Sequence, residues 1–225
     1  MRSAAIIQPI RKYLLAFATA FFFVLMLRIT LPYLGFRYDV GFLLTKQGVL
    51  YHTLWRYSFY IHICTSLFVL LFGGFQFINT QRITLHRASG KWYVGIVLLA
   101  AAPSGLVLGF YANGGRWAQV AFMLAAVLWW LTTLNAFLSI RKGDVDTHRR
   151  MMYYSYAFTL SAISLRTYAL VFPFFFHLPP NQMYTLIAWM GWAPNLVIAH
   201  VLLWRRSALS RRLDDLPIAA DRIRY

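Results

Sequence analysis

Apolar residues run along this chain in six long blocks. Each approaches or exceeds the roughly 20 residues a helix needs to cross the hydrocarbon of a bilayer. The blocks are Tyr13 to Leu34, Tyr57 to Ile78, Trp92 to Ala112, Trp117 to Ser139, Met152 to Phe175 and Tyr184 to Trp204. Several begin or end on Trp or Tyr, which anchor spans at the membrane–water interface. The pattern predicts an all-α polytopic bundle of six transmembrane helices over residues 1–206, with a short basic tail over 207–225. Most connections are short, so consecutive spans should run antiparallel. Gly35 to Arg56 is the exception and has room for a small external element. The first block continues to about Leu34, past the roughly 7–15 residues of a signal-peptide core, and so reads as an uncleaved span.

Composition agrees. Apolar residues make up 60% and charged residues 12%, against about 45–50% and about 25% in soluble domains. That excludes a soluble, a disordered and a disulfide-built secreted protein. The net charge of +16 comes from 22 Lys and Arg against six Asp, with no Glu. In a soluble protein it would suggest nucleic acid. Between spans it describes basic loops, and no nucleic-acid partner is expected. Most of the basic residues fall in the segments that are cytoplasmic if the N-terminus is inside, including Arg82, Arg87, Lys91, Arg149 and Arg150. The expected orientation is therefore N-in and C-in. The expected partners are the bilayer, anionic head groups on the cytoplasmic side and other membrane-protein subunits.

The chemistry available is narrow. Asp39, Asp144, Asp146, Asp214, Asp215 and Asp221 all lie outside the apolar blocks, so an intramembrane carboxylate relay has no candidate. Cys64 is the single cysteine, which excludes an intrachain disulfide or a CxxC site and reads as a small core residue. Motifs for nucleotide hydrolysis, zinc proteolysis and serine hydrolysis are missing.

The histidines divide by side: His52, His62 and His177 outer, His86, His148 and His200 inner. His62 lies about 7–8 Å into the second span and needs a partner there. That partner is an interhelical hydrogen bond, a b-type haem iron or a quinone. Gln76, fourteen residues on, shares its helix face about 21 Å further along. Glutamine is a poor haem ligand, so a two-haem pattern on this helix is incomplete. His86 and His148 sit just before helix N-termini, where the dipole favours the neutral, metal-binding imidazole. They are placed to meet across a cofactor. With Arg87, Arg149 and Arg150 beside them, the same place suits an anion.

Arg166 is the costliest residue, at about 2.5–3.5 kcal/mol on insertion scales. It should face the bundle interior. Carbonyls, hydroxyls, water or an exogenous anion must satisfy it; a haem propionate, a quinone oxygen or an anionic substrate would serve. Arg28 is expected to snorkel. His200 reads as structural, after a Pro194 that frees a carbonyl for Asn195. Gly73-Gly74 and the Gly105/Gly109 pair are expected to allow close helix approach.

QRITLHRASGKWYV after one span and RKGDVDTHRRMMYYSYAF before another resemble a bacterial family of predicted multi-spanning membrane proteins, domain of unknown function 2306. The matching positions are His62, Gln76-Phe77, Arg82, His86-Arg87, Gly90 and Tyr93, then His148-Arg149, Met151 and Arg166. Met152 stands where the pattern has Trp. The resemblance implies an integral membrane protein and no activity; the helical bundle itself is expected in a bacterial inner membrane. From the residues themselves, the leading expectation is a protein of membrane electron transfer that interacts with b-type haem or quinone. His62, His86 and His148 would ligate haem iron, and Arg166 would hold an anionic cofactor group. The alternatives are a non-redox small-molecule or lipid carrier and an accessory subunit of a larger membrane complex.

Overall fold

The computed structural model describes residues 2–78 and 83–214, with side chains over 10, 12–78 and 83–209. Arg82 and the tail beyond 214 fall outside the described residues. Every regular element described is helical, and six stretches are long and apolar enough to cross a membrane.

Helix α1 (Arg2–Thr30) ends where the Thr30 hydroxyl donates back to the Met26 carbonyl. Short 3₁₀ turns at Leu31–Gly35 and Gly41–Lys46 then fill the long connection. The second span is α2 (Thr53–Ile78). The third is interrupted: α3 (Ile83–Ile96) passes through a wide π turn, Val97–Ala101, into α4 (Ala102–Phe110). Pro103 has no N–H to continue the ladder, and the Ala102 N–H reaches back five residues to the Val97 carbonyl. Wide turns of this kind leave carbonyls for other donors. Here Leu98 receives Trp130 Nε1 at 3.1 Å, and Ala101 receives the Ser104 hydroxyl at 3.1 Å.

The fourth and fifth spans are α5 (Arg116–Arg141) and α6 (Val145–Phe175). Asp144 caps α6 by accepting from the Thr147 N–H at 2.9 Å, which holds its carboxyl below the usual range. The sixth block, expected as one helix, is two: α7 (Pro180–Met190) and α8 (Ala193–Asp214). Pro194 supplies no N–H across the break, and Asn195 bridges it by donating to the Gly191 and Ala157 carbonyls.

The spans α2, α3–α4, α5 and α6 form a ring in that order, each packed on the next, with α6 returning to α2. Helix α1 lies along α2, and α7 and α8 lie outside α5 and α6. The expected close approaches are present. A Cβ at Gly73 would run into Tyr156 of α6, one at Gly74 into Thr19 of α1, and one at Gly109 into the α5 backbone at Met123. Val69, Tyr93, Val97, Trp129 and Phe158 fill the ring. Cys64 is only half-buried, on the flank of α2, so it is not a core residue.

The two ends of the bundle differ. Residues 31–52 cover one end, where Leu43, Leu50, Trp55 and Phe59 make a small core. Lys46, 3% exposed, donates from there to the Tyr111 carbonyl and, at 2.6 Å, to Asn113 Oδ1. These bonds tie the cap to the α4–α5 turn, and burial brings the ammonium down to about 8. The opposite, basic end carries His86, Arg87, Lys91, Arg141, Arg149 and Arg150.

Candidate functional site

The four nominated residues form two groups rather than one. At the basic end, His86 of α3 and His148 of α6 lie within electrostatic reach of each other on opposite helices of the ring. Both helices begin earlier than the apolar blocks, at Ile83 and Val145. The histidines therefore sit inside the first turns, not before them. The apolar blocks mark where the hydrocarbon starts, whereas the helices continue through the interface.

His148 Nδ1 is 2.8 Å from the Ala136 carbonyl of α5. A carbonyl only accepts, so Nδ1 carries a proton, and the neutral form of the ring has its lone pair on Nε2. The His86 turn is pinned from α2: Gln76 Nε2 donates to the His86 carbonyl at 3.0 Å and lies 2.5 Å from the Ser89 hydroxyl oxygen. Gln76 thus stands where a second ligand was sought on α2 and instead braces His86. His86 Nδ1 is buried without a partner among the described residues. Arg87 is exposed nearby in sequence, and Arg149 stays within 3.6 Å of Asp146.

The second group lies within the membrane. His62 and Arg166 line a chamber of about 60 Å³, walled also by Met26 and Thr30 of α1 and Ser66 of α2. His62 Nδ1 is 2.9 Å from the Ala101 carbonyl of the wide turn, with the Ser104 hydroxyl at 3.4 Å. The same tautomer argument leaves Nε2 as an acceptor. Gly105 makes room for the ring, since a Cβ there would stand 3.0 Å from His62 Cε1. Arg166 donates to the Ala162 carbonyl of its own helix at 2.8 Å. The ion pairs among the described residues are Arg37–Asp39 and Arg149–Asp146, so Arg166 has no carboxylate partner there. It faces this chamber beside α1 and α2 rather than the middle of the ring.

A model of the family described as Predicted membrane protein (DUF2306) matches residues 59–203. The chain belongs to that family. The DUF2306 region begins within α2 and contains His62, His86, His148 and Arg166, while α1 and the cap precede it. No curated protein and no solved structure matches the chain.

The DUF2306 region also holds a group that sequence reasoning did not assemble. The Tyr93 hydroxyl, fully buried, lies 2.8 Å from Ser155 Oγ and 2.9 Å from Thr159 Oγ1. Thr133 Oγ1 is 2.7 Å from Ser155 Oγ and 2.7 Å from the Trp129 carbonyl. Three helices thus meet at hydroxyls in the ring's centre. The signal in the sequence is the set of hydroxyls on the fifth span, Ser155, Thr159, Ser161, Ser164 and Thr167; the partners on α3 and α5 depend on the packing order. Of the other histidines, His200 takes the structural part expected, 2.9 Å from the Tyr154 hydroxyl, and His52 and His177 are exposed. Among the described residues no group of three or more His, Cys, Asp or Glu is gathered as for a metal ion.

Proposed function

We propose that this integral membrane protein is a component of membrane electron transfer that holds b-type haem at its basic end through His86 and His148. The observation carrying this reading is the state of the two rings. His148 is oriented by a carbonyl on Nδ1, as ligating histidines commonly are, which leaves Nε2 as its coordinating nitrogen. His86 holds a buried nitrogen with no partner among the described residues, a position that a ligand could satisfy. Neutral imidazole pairs suit haem iron, and Arg87, Arg149 and Arg150 supply charge for propionates. Bound haem would supply one-electron chemistry.

The test is an oxidised-minus-reduced absorbance spectrum of the purified protein, with haem counted per chain. Near-stoichiometric haem, lost in His86→Ala and His148→Ala while the bundle stays folded, supports the reading. A flat spectrum from protein made with ample haem overturns it. One observation favours a second, non-redox reading, a carrier or accessory subunit that binds an anion: Arg166 lacks a carboxylate partner among the described residues. A colourless protein stabilised by an anionic ligand, with the effect lost in Arg166→Ala, would identify it.

A further inference from the structure

We infer that the chamber between α1, α2 and α6 binds the hydroxyl-bearing head of a lipid-soluble quinol, which enters sideways from the bilayer. The site is separate from the His86–His148 pair and does not depend on haem there.

The donor and acceptor pattern selects the head group. Arg166 has only donors to offer and, among the described residues, one hydrogen bond, to Ala162. His62 has its proton committed to Ala101, so it offers an acceptor. A single phenolic hydroxyl satisfies both, accepting from the guanidinium and donating to His62 Nε2. A carboxylate would satisfy Arg166 but set its lone pairs against that of His62. An oxidised quinone accepts from Arg166 and leaves His62 without a donor. The reduced form should therefore bind more tightly.

Size and access point the same way. About 60 Å³ is the room of roughly two waters, at about 30 Å³ each. It admits the oxygen-bearing edge of a ring, not a whole amphiphile, so the tail must remain in lipid. A route exists because α1 packs along α2 and scarcely touches α6, although Met26 and Thr30 of α1 and Arg166 of α6 line the same chamber. The remaining walls, Ile63, Leu67, Leu70 and Ala162, present apolar side chains.

The experiment uses the full-length protein in nanodiscs and a decyl-tailed benzoquinol, held reduced, as the probe. Binding is read by isothermal titration and by the shift in thermal midpoint. The expected result is saturable binding, weakened at least tenfold in Arg166→Gln and in His62→Phe, and weakened severalfold for the oxidised probe. Ser66→Leu, which leaves the Arg166 and His62 side chains in the sequence and occupies the chamber, should block binding, so the test does not rest on the polar variants alone. A His86→Ala/His148→Ala double variant should bind the probe normally, which separates this inference from the haem reading. Equal affinity in wild type and Ser66→Leu overturns the proposal. So does oleate binding more tightly than the quinol and displacing it.

Discussion

A carbonyl oxygen cannot donate, and that fact fixes the proton on both His62 and His148. The need of His62 for a partner was legible from its depth in an apolar block, and so was the cost of Arg166. The identity of the partners was not. The Ala101 carbonyl is released only by a wide turn about 40 residues away in sequence, and Ala162 belongs to the arginine's own helix. Lys46 shows the same limit: a lysine in a long connection reads as solvated, yet its acceptors come from the distant α4–α5 turn. Gly105→Ala tests the seat of the His62 ring. The added methyl would press on Cε1, and overpacking of this kind costs about 1–3 kcal/mol. The thermal midpoint should fall and quinol binding weaken. Tyr93→Phe removes the centre of the hydroxyl group. Membrane hydrogen bonds average about 0.6 kcal/mol, with a maximum near 1.7. A double-mutant cycle of Tyr93→Phe with Thr159→Val, read by reversible unfolding in detergent, should return a coupling in that range.

At the level of elements, run length located every span, because hydrocarbon thickness sets it. It was blind to what happens inside a span. The wide turn before Pro103 and the break before Pro194 arise from missing N–H groups, whose effect depends on which neighbours receive the freed carbonyls. The room for an external element between the first two spans was visible, but not that it folds down as a cap. The cap carries a pH signature. Lys46 titrates at about 8 when folded, against an ordinary 10.5. As pH falls from 10.5, the unfolded chain takes up the proton first, so this group's contribution to stability falls until pH 8 and then levels off. The thermal midpoint should therefore rise between pH 8 and 10.5. Lys46→Met should flatten that rise, as scanning calorimetry across the range would show.

For the whole molecule, the sequence determined an all-helical membrane bundle, while the ring order of α2, α3–α4, α5 and α6 emerged only from packing. That order matters more than any single motif, because it sets His86 opposite His148 and Arg166 beside His62. From the distribution of basic residues we propose that six crossings leave both termini on the cytoplasmic side. Reporter fusions at the two ends should both report the cytoplasmic side, and accessibility labelling of Tyr51→Cys in a Cys64→Ser background should report the other. At the centre, the hydroxyls of Tyr93, Ser155, Thr159 and Thr133 are each both donor and acceptor. The protons can therefore be ordered in two opposite senses. In one, Thr133 ends the sequence on the Trp129 carbonyl; in the other, Thr159 ends it on the Ser155 carbonyl. Every heavy atom stays in place between them. The middle of the bundle thus holds a small dipole that the two proton orders would point in opposite directions, a polar element whose sign the heavy atoms alone do not set.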